Sequence, residues 1–410
     1  MHSEKDILTH IINLGQEITQ VKDVDLLLEK ILSESRSFVN ADAGSIYVKM
    51  NDRLVFSQAQ NETLKKQLPP GKKLVYSKFS IPIDNKSIAG YVGTTGETVN
   101  LPDVYSLDDR FLFSFDRKYD DLSKYRTQSV LSFPLKTPQD EVLGVLQLIN
   151  AKDEKGTIIP FSKEDEPFIM HFANSAAIAL ERAQMTRAII LRMLRMAEMR
   201  DPKETGAHVN RVGAYSAEIY EVWADKRGIL RHEIEKTRDI LRMASMLHDV
   251  GKVAISDMIL KKPARLDMDE FEIMKQHTFL GAKLFVDSRS DFDDAAFFIA
   301  LEHHERWDGN GYPGQLSFGP EEMLSDYKFD LSKTKKKKGE EIHHYGRIVA
   351  IADVYDALSS RRCYKEPWDE SAVLNTIREE SGKQFDPEMI EAFFEVIDVL
   401  RNIREQYPDE

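Results

Sequence analysis

VLSFPLKTPQDEVLGVLQLINAKDEKGTIIPFSKEDEPFIMHFANSAAIALERAQMTRAIILRMLRMA, residues 130–197, changes its hydrophobic period once, and that change sets the fold class. Val130 to Leu135 and Val142 to Ile149 are short apolar runs, as buried strands require. After Pro167 the chain runs on without proline or glycine. Ile169, Phe172, Ala176, Ala179, Ala183, Thr186, Ile190, Met193 and Ala197 alternate there at three and four residues, a heptad seam. Its alanines allow close helix approach, so the seam predicts a parallel dimer that relays a change along the chain; the competing reading is a helix packed on its own domain. Ser162 is expected to cap this helix, and Asp201 with Pro202 to end it.

On the N-terminal side, apolar residues from Ile7 to Val39 recur at helical intervals. Two strands are then expected, Ser45 to Met50 and Leu54 to Ala59, joined by a turn at Asn51 and Asp52. A polar stretch holding Gly90, Gly93 and Gly96 precedes the strands quoted above. On the C-terminal side, from Ala207, the pattern is helical throughout: Val209 to Ala224, Ile234 to Leu247, Asp269 to Val286, Asp293 to His304, Tyr345 to Ser359 and Pro387 to Arg401. The expected fold class is therefore multidomain, an α+β domain over residues 1–165, a long linking helix over 166–200 and an all-α domain over 201–410. A polar insertion between Gly319 and Tyr345, with Lys333 and Lys335 to Lys338, reads as a solvated, mobile loop, and its His343 and His344 as solvated loop residues.

The chain has 410 residues, ample for two cores. With 69 acidic and 56 basic residues its net charge is -13, which disfavours nucleic acid as a partner but leaves a small phosphate ligand open in a locally positive cleft. No run of about 18 apolar residues is present, so membrane insertion is not expected. Cys363 is alone and the N-terminus lacks the signal-peptide pattern, so the expected compartment is the cytoplasm.

Histidine is scarce, 11 in all, yet His208, His248, His277, His303 and His304 recur along the helical half. One such histidine is usually a satisfied core residue. Five of them, with Asp249 and Asp353, are explained together by one metal cluster in a helical bundle. Glu204 and His208 are four apart, so that one helical turn holding both would put them on one face. In the adjacent pair His248 and Asp249 the carboxylate has two oxygens and can bridge two cations, and Asp249 is the expected bridge.

Two resemblances follow. The phrases IAGYVGTTGETVNLPDV (88–104) and SVLSFPLKTPQDEVLGVLQLIN (129–150), with the order of elements, resemble a GAF domain over about residues 15 to 180, which implies a sensory module with a small-molecule pocket whose ligand stays unknown. Asn150, Lys152, Phe161, Asp165 and Glu166 approximate the signature of cyclic-nucleotide-binding GAF domains, with Ala151 interrupting it; a strand end, a turn and a helix cap are the preferred explanation.

HDVGK (248–252), HHERWDGNGYPG (303–314), GAHVNRV (206–212) and RIVAIADVYDALSSRRCYK (347–365) resemble the HD-GYP subgroup of HD-domain phosphohydrolases over about residues 185 to 405. The resemblance implies hydrolysis of cyclic di-GMP to pGpG and then GMP. Its metal ligands carry over onto His208, His248, Asp249, His277, His303, His304 and Asp353. Glu204 matches the variant that holds a third ion, so a trinuclear site is preferred to a binuclear one, with iron as the metal and manganese as a substitute. Lys252 is expected to orient the nucleophilic water or touch the scissile phosphate. Arg362 and Lys365 stand where the family places phosphate-binding cations, Tyr364 is expected either to stack on or border the guanine or to pack in the core, and Tyr312 supplies a hydroxyl from the GYP loop. For the GYP loop the resemblance implies either steering of substrate or contact with GGDEF-domain partner proteins. Three rivals stand beside this reading: hydrolysis of another cyclic dinucleotide such as cyclic GMP-AMP, a catalytically silent cyclic di-GMP receptor, and a scaffold regulated through the lysine loop.

Overall fold

The computed structural model describes residues 13, 15–68, 79–107, 110–198, 206–288, 290–316, 334–360 and 367–409. The expectations placed on Asp201, Pro202, Glu204, Lys333, Arg362, Cys363, Tyr364 and Lys365 lie outside the described residues. The chain divides into two compact units, Met1–Arg187 and Ala188–Glu410.

In the first unit, helix α1 (Val24–Phe38) starts where the Asp23 carboxylate accepts from the Asp25 and Leu26 amides at 3.0 and 3.1 Å. Strands β1 (Ala41–Met50) and β2 (Arg53–Asn61) form the expected hairpin, with Asn51 at φ 55° in its turn. β3 (Ser80–Pro82), β4 (Val99–Leu101), β5 (Val130–Lys136), β6 (Val142–Lys152) and β7 (Ile158–Ile159) complete an antiparallel sheet in the order β3-β2-β1-β6-β5-β4, with β7 on β6. Successive strand residues point to opposite faces. Ile46, Leu131, Phe133, Leu146 and Leu148 pack on α1 and on the start of α3 (Glu166–Glu198), while Val99, Val130 and Val145 pack on α2 (Ile88–Thr95).

Ile169, Phe172, Ala176, Ala179 and Ala183 of the heptad seam are buried in that first core, so this part of α3 packs on its own unit. A different face of α3 leaves Ile178, Met185, Ile189 and Met196 exposed. Ser162 is not the helix cap: its hydroxyl accepts from the Glu164 amide at 3.1 Å, in the turn before α3.

Asn150, Lys152 and Glu166 serve the fold of this unit. The Asn150 side chain donates to Tyr125 Oη and the Arg126 carbonyl and accepts from the Gln128 amide, Lys152 pairs with buried Asp42 at 2.5 Å, and Glu166 accepts from Asn100 at 2.7 Å. Phe161 is buried in the core.

The second unit is helical: α4 (Gly206–Lys226), α5 (Arg231–Ala244), α6 (Met268–Lys283), α7 (Asp291–Glu302), α8 (His344–Ser359), α9 (Glu370–Glu379), α10 (Pro387–Glu395) and α11 (Ile397–Gln406). Tyr215, Tyr355 and Phe393 stack edge to face at 5.2 and 5.1 Å in a core shared by α4, α8 and α10. The single helix expected over Pro387 to Arg401 breaks at Val396, and α9, capped by Asp369, was not anticipated.

Lys335, Lys336 and Lys338 of the lysine segment are exposed, as expected of a solvated loop, whereas Lys337 is held against the fold. Among its described residues, Lys337 pairs with Glu302, which is buried at the end of α7, and Lys336 Nζ lies 3.2 Å from Asn310 Oδ1. His343 and His344 are not solvated. His343 caps α8 and stacks on Phe298 at 4.2 Å, and His344 stacks on Trp223 at 5.6 Å. A planar ring can bury its faces as an aromatic would, which polar composition conceals.

Burial, followed by the nearby Arg347 and Lys337, pushes His343 down to about 4; burial, followed by His343, pushes His344 down to about 3. A depressed value means that the fold favours the neutral ring. That contribution is complete above the unfolded value near 6.5 and is lost as pH falls through the folded value. His344→Phe keeps the stack and removes the titration. We expect it to lose about 1–2 kcal/mol less stability than wild type between pH 7 and pH 5 in urea unfolding; equal losses would show that this ring does not titrate with folding.

Candidate metal centre

Three local features bring the ligand-type side chains of the second unit together. The His248–Asp249 pair sits in tight turns, 3-10 in form, after α5, and Gly251 lies directly against α6, where a Cβ would come within 2.0 Å of the His277 carbonyl. Only glycine permits that approach, which lets Asp249 meet His277. His303 and His304 leave the C-terminal end of α7, His208 lies in the first turn of α4, and Asp353 projects from α8.

Two groups result, each with ligand atoms within 4.8 Å of one another: Asp249, His277, His303 and His304, and His208, His248 and Asp353. Asp249 Oδ1 lies 3.1 Å from His277 Nε2 and 3.5 Å from His303 Nε2, while Oδ2 lies 3.3 Å from His248 Nε2. One carboxylate thus turns an oxygen toward histidines of each group. Lys252 Nζ is 2.7 Å from Oδ2.

The tautomers set which ring nitrogen faces the cluster. Nδ1 of His277, His303 and His248 lies 2.7, 2.9 and 2.9 Å from the carbonyls of Met274, Ile299 and Ser245, so each donates its proton to main chain. In the neutral rings every Nε2 is then an acceptor. Yet His277 Nε2 and His303 Nε2 stand 3.5 Å apart beside the Asp249 carboxylate, acceptors facing acceptors. Burial alone would raise the Asp249 carboxyl, but the positive charge of Lys252 leads the groups that outweigh it and hold it well below the usual carboxylate range. Burial and the adjoining His303 and His277 keep His304 well below the usual imidazole value, hence neutral. Neutral imidazoles converging on an ionised carboxylate form a donor set suited to divalent cations.

Asp356, missed in the sequence, orients His208. Its Oδ2 lies 2.8 Å from His208 Nδ1, so the opposite Nε2 faces Asp353 at 3.6 Å. Arg211, 2% exposed, holds the other side of the same carboxylate at 2.5 and 2.9 Å. Position i+3 from Asp353 on one helix was the available signal. Burial raises the Asp356 carboxyl, while hydrogen bonds from His208 and Arg211 lower it further than that, so it stays ionised.

The GYP loop lies beside the first group. Tyr312 stacks on His304 at 4.9 Å, with a cis Tyr312–Pro313 peptide, and burial followed by the Asp249 charge pushes its hydroxyl up, so it is a donor at neutral pH. The buried Glu305 carboxylate accepts from the Gly314 amide and ties the loop to the end of α7. Burial raises Glu305 to about 7. Lys252 and Tyr312 therefore border the cluster. Glu204, Arg362, Tyr364 and Lys365 fall outside the described residues.

Comparison with known proteins agrees with this architecture. Residues 23–180 match the GAF domain family and residues 205–358 the HD domain family, with a further HD-domain match over 332–389. The chain is 34% identical over 232 residues to a 3'3'-cGAMP-specific phosphodiesterase 2 of Vibrio cholerae, a match covering 57% of this chain and 39% of the relative. It is 40% identical over 221 residues to a cyclic di-GMP phosphodiesterase of Thermotoga maritima, covering 53% and 51%, and 34% identical over 291 residues to a cyclic di-GMP phosphodiesterase of Vibrio cholerae, covering 69% and 53%. The chain spans about half or less of the length of these relatives. It carries a GAF domain followed by an HD domain. Among the described residues no helix is long and apolar enough to cross a membrane.

Proposed function

We propose that this chain is a metal-dependent phosphodiesterase of the HD-GYP type that hydrolyses cyclic di-GMP to pGpG and GMP under control of its GAF domain. The observation that carries the reading is the Asp249 carboxylate, with one oxygen toward His277 and His303 and the other toward His248. His208, His248, Asp249, His277, His303, His304 and Asp353 would hold two ions, and Glu204 a third. Imidazole and carboxylate donors accept several divalent metals; iron, with manganese as its substitute, follows from the resemblance. Such ions neutralise a phosphodiester and make water a nucleophile at neutral pH.

The chain's own groups do the rest. Lys252 Nζ, 2.7 Å from Asp249, keeps that carboxylate ionised and sets a positive charge at the edge of the cluster, where it steers an anionic phosphate and orients the attacking water. The Tyr312 hydroxyl keeps its proton and donates to a phosphate oxygen. Asp356 and Arg211 lock the His208 ring. Arg362 and Lys365 bind the second phosphate, with Tyr364 against the base.

The same reading divides the chain into a sensor over 1–165, a signalling helix over 166–200 and the hydrolase over 201–410. In the first unit a groove of about 590 Å³ bordered by Lys86, Tyr105, Phe111, Phe113, Phe115 and Arg117 supports a small-molecule ligand for the sensor. The exposed Ile178, Met185, Ile189 and Met196 of α3 support assembly as a homodimer. A cytoplasmic location and GGDEF-domain partners complete the proposal.

One specific finding favours a second reading, cyclic GMP-AMP as substrate: the relative named for 3'3'-cGAMP is as similar in identity as the Vibrio cyclic di-GMP enzyme. Chromatography of products from both dinucleotides, incubated side by side with anaerobically purified protein, separates them. We expect pGpG and GMP from cyclic di-GMP as the faster reaction; faster loss of cyclic GMP-AMP would transfer the assignment, and turnover of neither would end it.

A further inference from the structure

The N-terminal turns of α6, the helix that delivers His277, present three side chains that the chemistry above does not use. Asp267 and Glu270 close a capping box that fixes this end of the helix. Just beyond it, Phe271 is 46% exposed, a large apolar ring that a fold would ordinarily cover. Its ring lies 6.2 Å from Tyr312 at 82°, and Tyr312 in turn stacks on His304. Lys275 Nζ sits 5.5 Å from the Phe271 ring and 5.7 Å from that of Tyr312, and it pairs with Glu272 at 2.6 Å. An uncovered aromatic face, an ammonium and a carboxylate therefore stand together one ring away from the metal-ligand histidines.

We propose that Phe271, Lys275 and Glu272 form a purine subsite of the phosphodiesterase, for the base other than the one assigned to Tyr364, and make it select guanine. The inference rests on the cyclic dinucleotide reading above. A base attached to a phosphodiester held at the cluster extends past Tyr312 and stacks on Phe271, since every base offers a π-face to an aromatic ring. The edge of guanine sets the O6 acceptor beside the N1–H and N2–H donors. Lys275 donates to O6, and Glu272 accepts from the adjacent N–H groups. Adenine presents an amino donor where guanine has O6, so it would set a donor against the ammonium. Discrimination arises because the wrong base leaves these charged groups without their partners.

The test is steady-state kinetics of the full chain, loaded with metal under anaerobic conditions, on cyclic di-GMP and cyclic di-AMP, with metal content measured for each variant. Phe271→Ala should raise KM for cyclic di-GMP about tenfold or more while kcat falls less than threefold, and Phe271→Tyr should restore KM. Lys275→Met, which keeps the aliphatic stem, should lower the ratio of kcat/KM for cyclic di-GMP over cyclic di-AMP about tenfold. A KM in Phe271→Ala within twofold of wild type, a kcat and metal loss without a KM change, or an unaltered base ratio in Lys275→Met would overturn the subsite. Equilibrium titration of a hydrolysis-resistant phosphorothioate analogue of cyclic di-GMP into the metal-loaded full chain, with and without Phe271→Ala, separates this inference from the reading it rests on. Binding weakened about tenfold by Phe271→Ala supports the subsite even if the wild type hydrolyses nothing, and equal binding refutes it whatever the turnover.

Discussion

Asp249→Ala is expected to lower turnover about a thousandfold or more and to strip bound metal from the protein. Among the described residues the carboxylate is the one group with an oxygen toward histidines of both clusters, Oδ1 toward His277 and His303 and Oδ2 toward His248. Without it, His277 Nε2 and His303 Nε2 face each other at 3.5 Å with no negative charge between them, a poor site for a divalent cation. Lys252 loses the anion 2.7 Å away and its own positive charge then opposes metal entry. The check is metal analysis together with product formation. Thermal unfolding adds an independent reading: added metal should raise the wild-type midpoint and leave that of the variant almost in place, because a ligand stabilises only the state that binds it. Full metal content in Asp249→Ala would mean that the two histidine groups hold ions separately and that no carboxylate bridges them.

The second large effect belongs to Asp356, a residue with no expected contact to substrate. Asp356→Ala should destabilise the second unit by about 3–5 kcal/mol, the usual result of removing one partner of a buried ion pair. Arg211 is the reason. Its guanidinium is buried and uses Nε and Nη2 on the two oxygens of Asp356, leaving the Tyr407 carbonyl and Asp409 as its other partners. The same substitution frees the His208 ring, whose Nδ1 proton Asp356 accepts, so affinity for metal at that histidine should fall about 10- to 100-fold. Urea unfolding of the metal-free protein measures the first effect and metal titration the second. Asp356→Asn, which keeps an acceptor but no charge, should fall between wild type and alanine in both. A variant with weakened metal binding and wild-type stability would separate the two roles and remove Arg211 from the account.

Much of this was legible in the residues because the forces involved leave periodic marks. Strands β5 and β6 are apolar on both faces, since one face packs on α1 and α3 and the other on α2, so they read as uninterrupted runs. The helices of the second unit read equally well, because each buries one stripe, most of them against the core that holds Tyr215 and Phe393 and α6 through Phe279 and Ala282 against Ala300 and Leu301 of α7. Local composition misled where packing overrode it. His343 and His344 lie in a polar stretch, yet their rings stack on Phe298 and Trp223, and the lysine beside them reaches the buried Glu302. Heptad spacing in α3 marks burial but not the partner, which for Ile169 to Ala183 is the helix's own unit.

Of the candidate site, the histidines and Asp249 stood out through their scarcity and adjacency, whereas Asp356 did not, since a second aspartate one turn after the first reads as ordinary helix surface. Only the fold reveals that it faces Arg211 and His208. Phe271 is a similar case. One phenylalanine in an amphipathic helix implies core, and its exposure beside Tyr312 is visible only in three dimensions.

The central claim is that imidazoles and carboxylates distant in sequence share bound cations. Metal analysis of the full chain, purified and quantified under anaerobic conditions, tests this most directly. The account predicts three divalent ions per chain in the wild type and two in Glu204→Ala; a wild-type protein that retains less than one ion per chain when supplied with iron or manganese would contradict it.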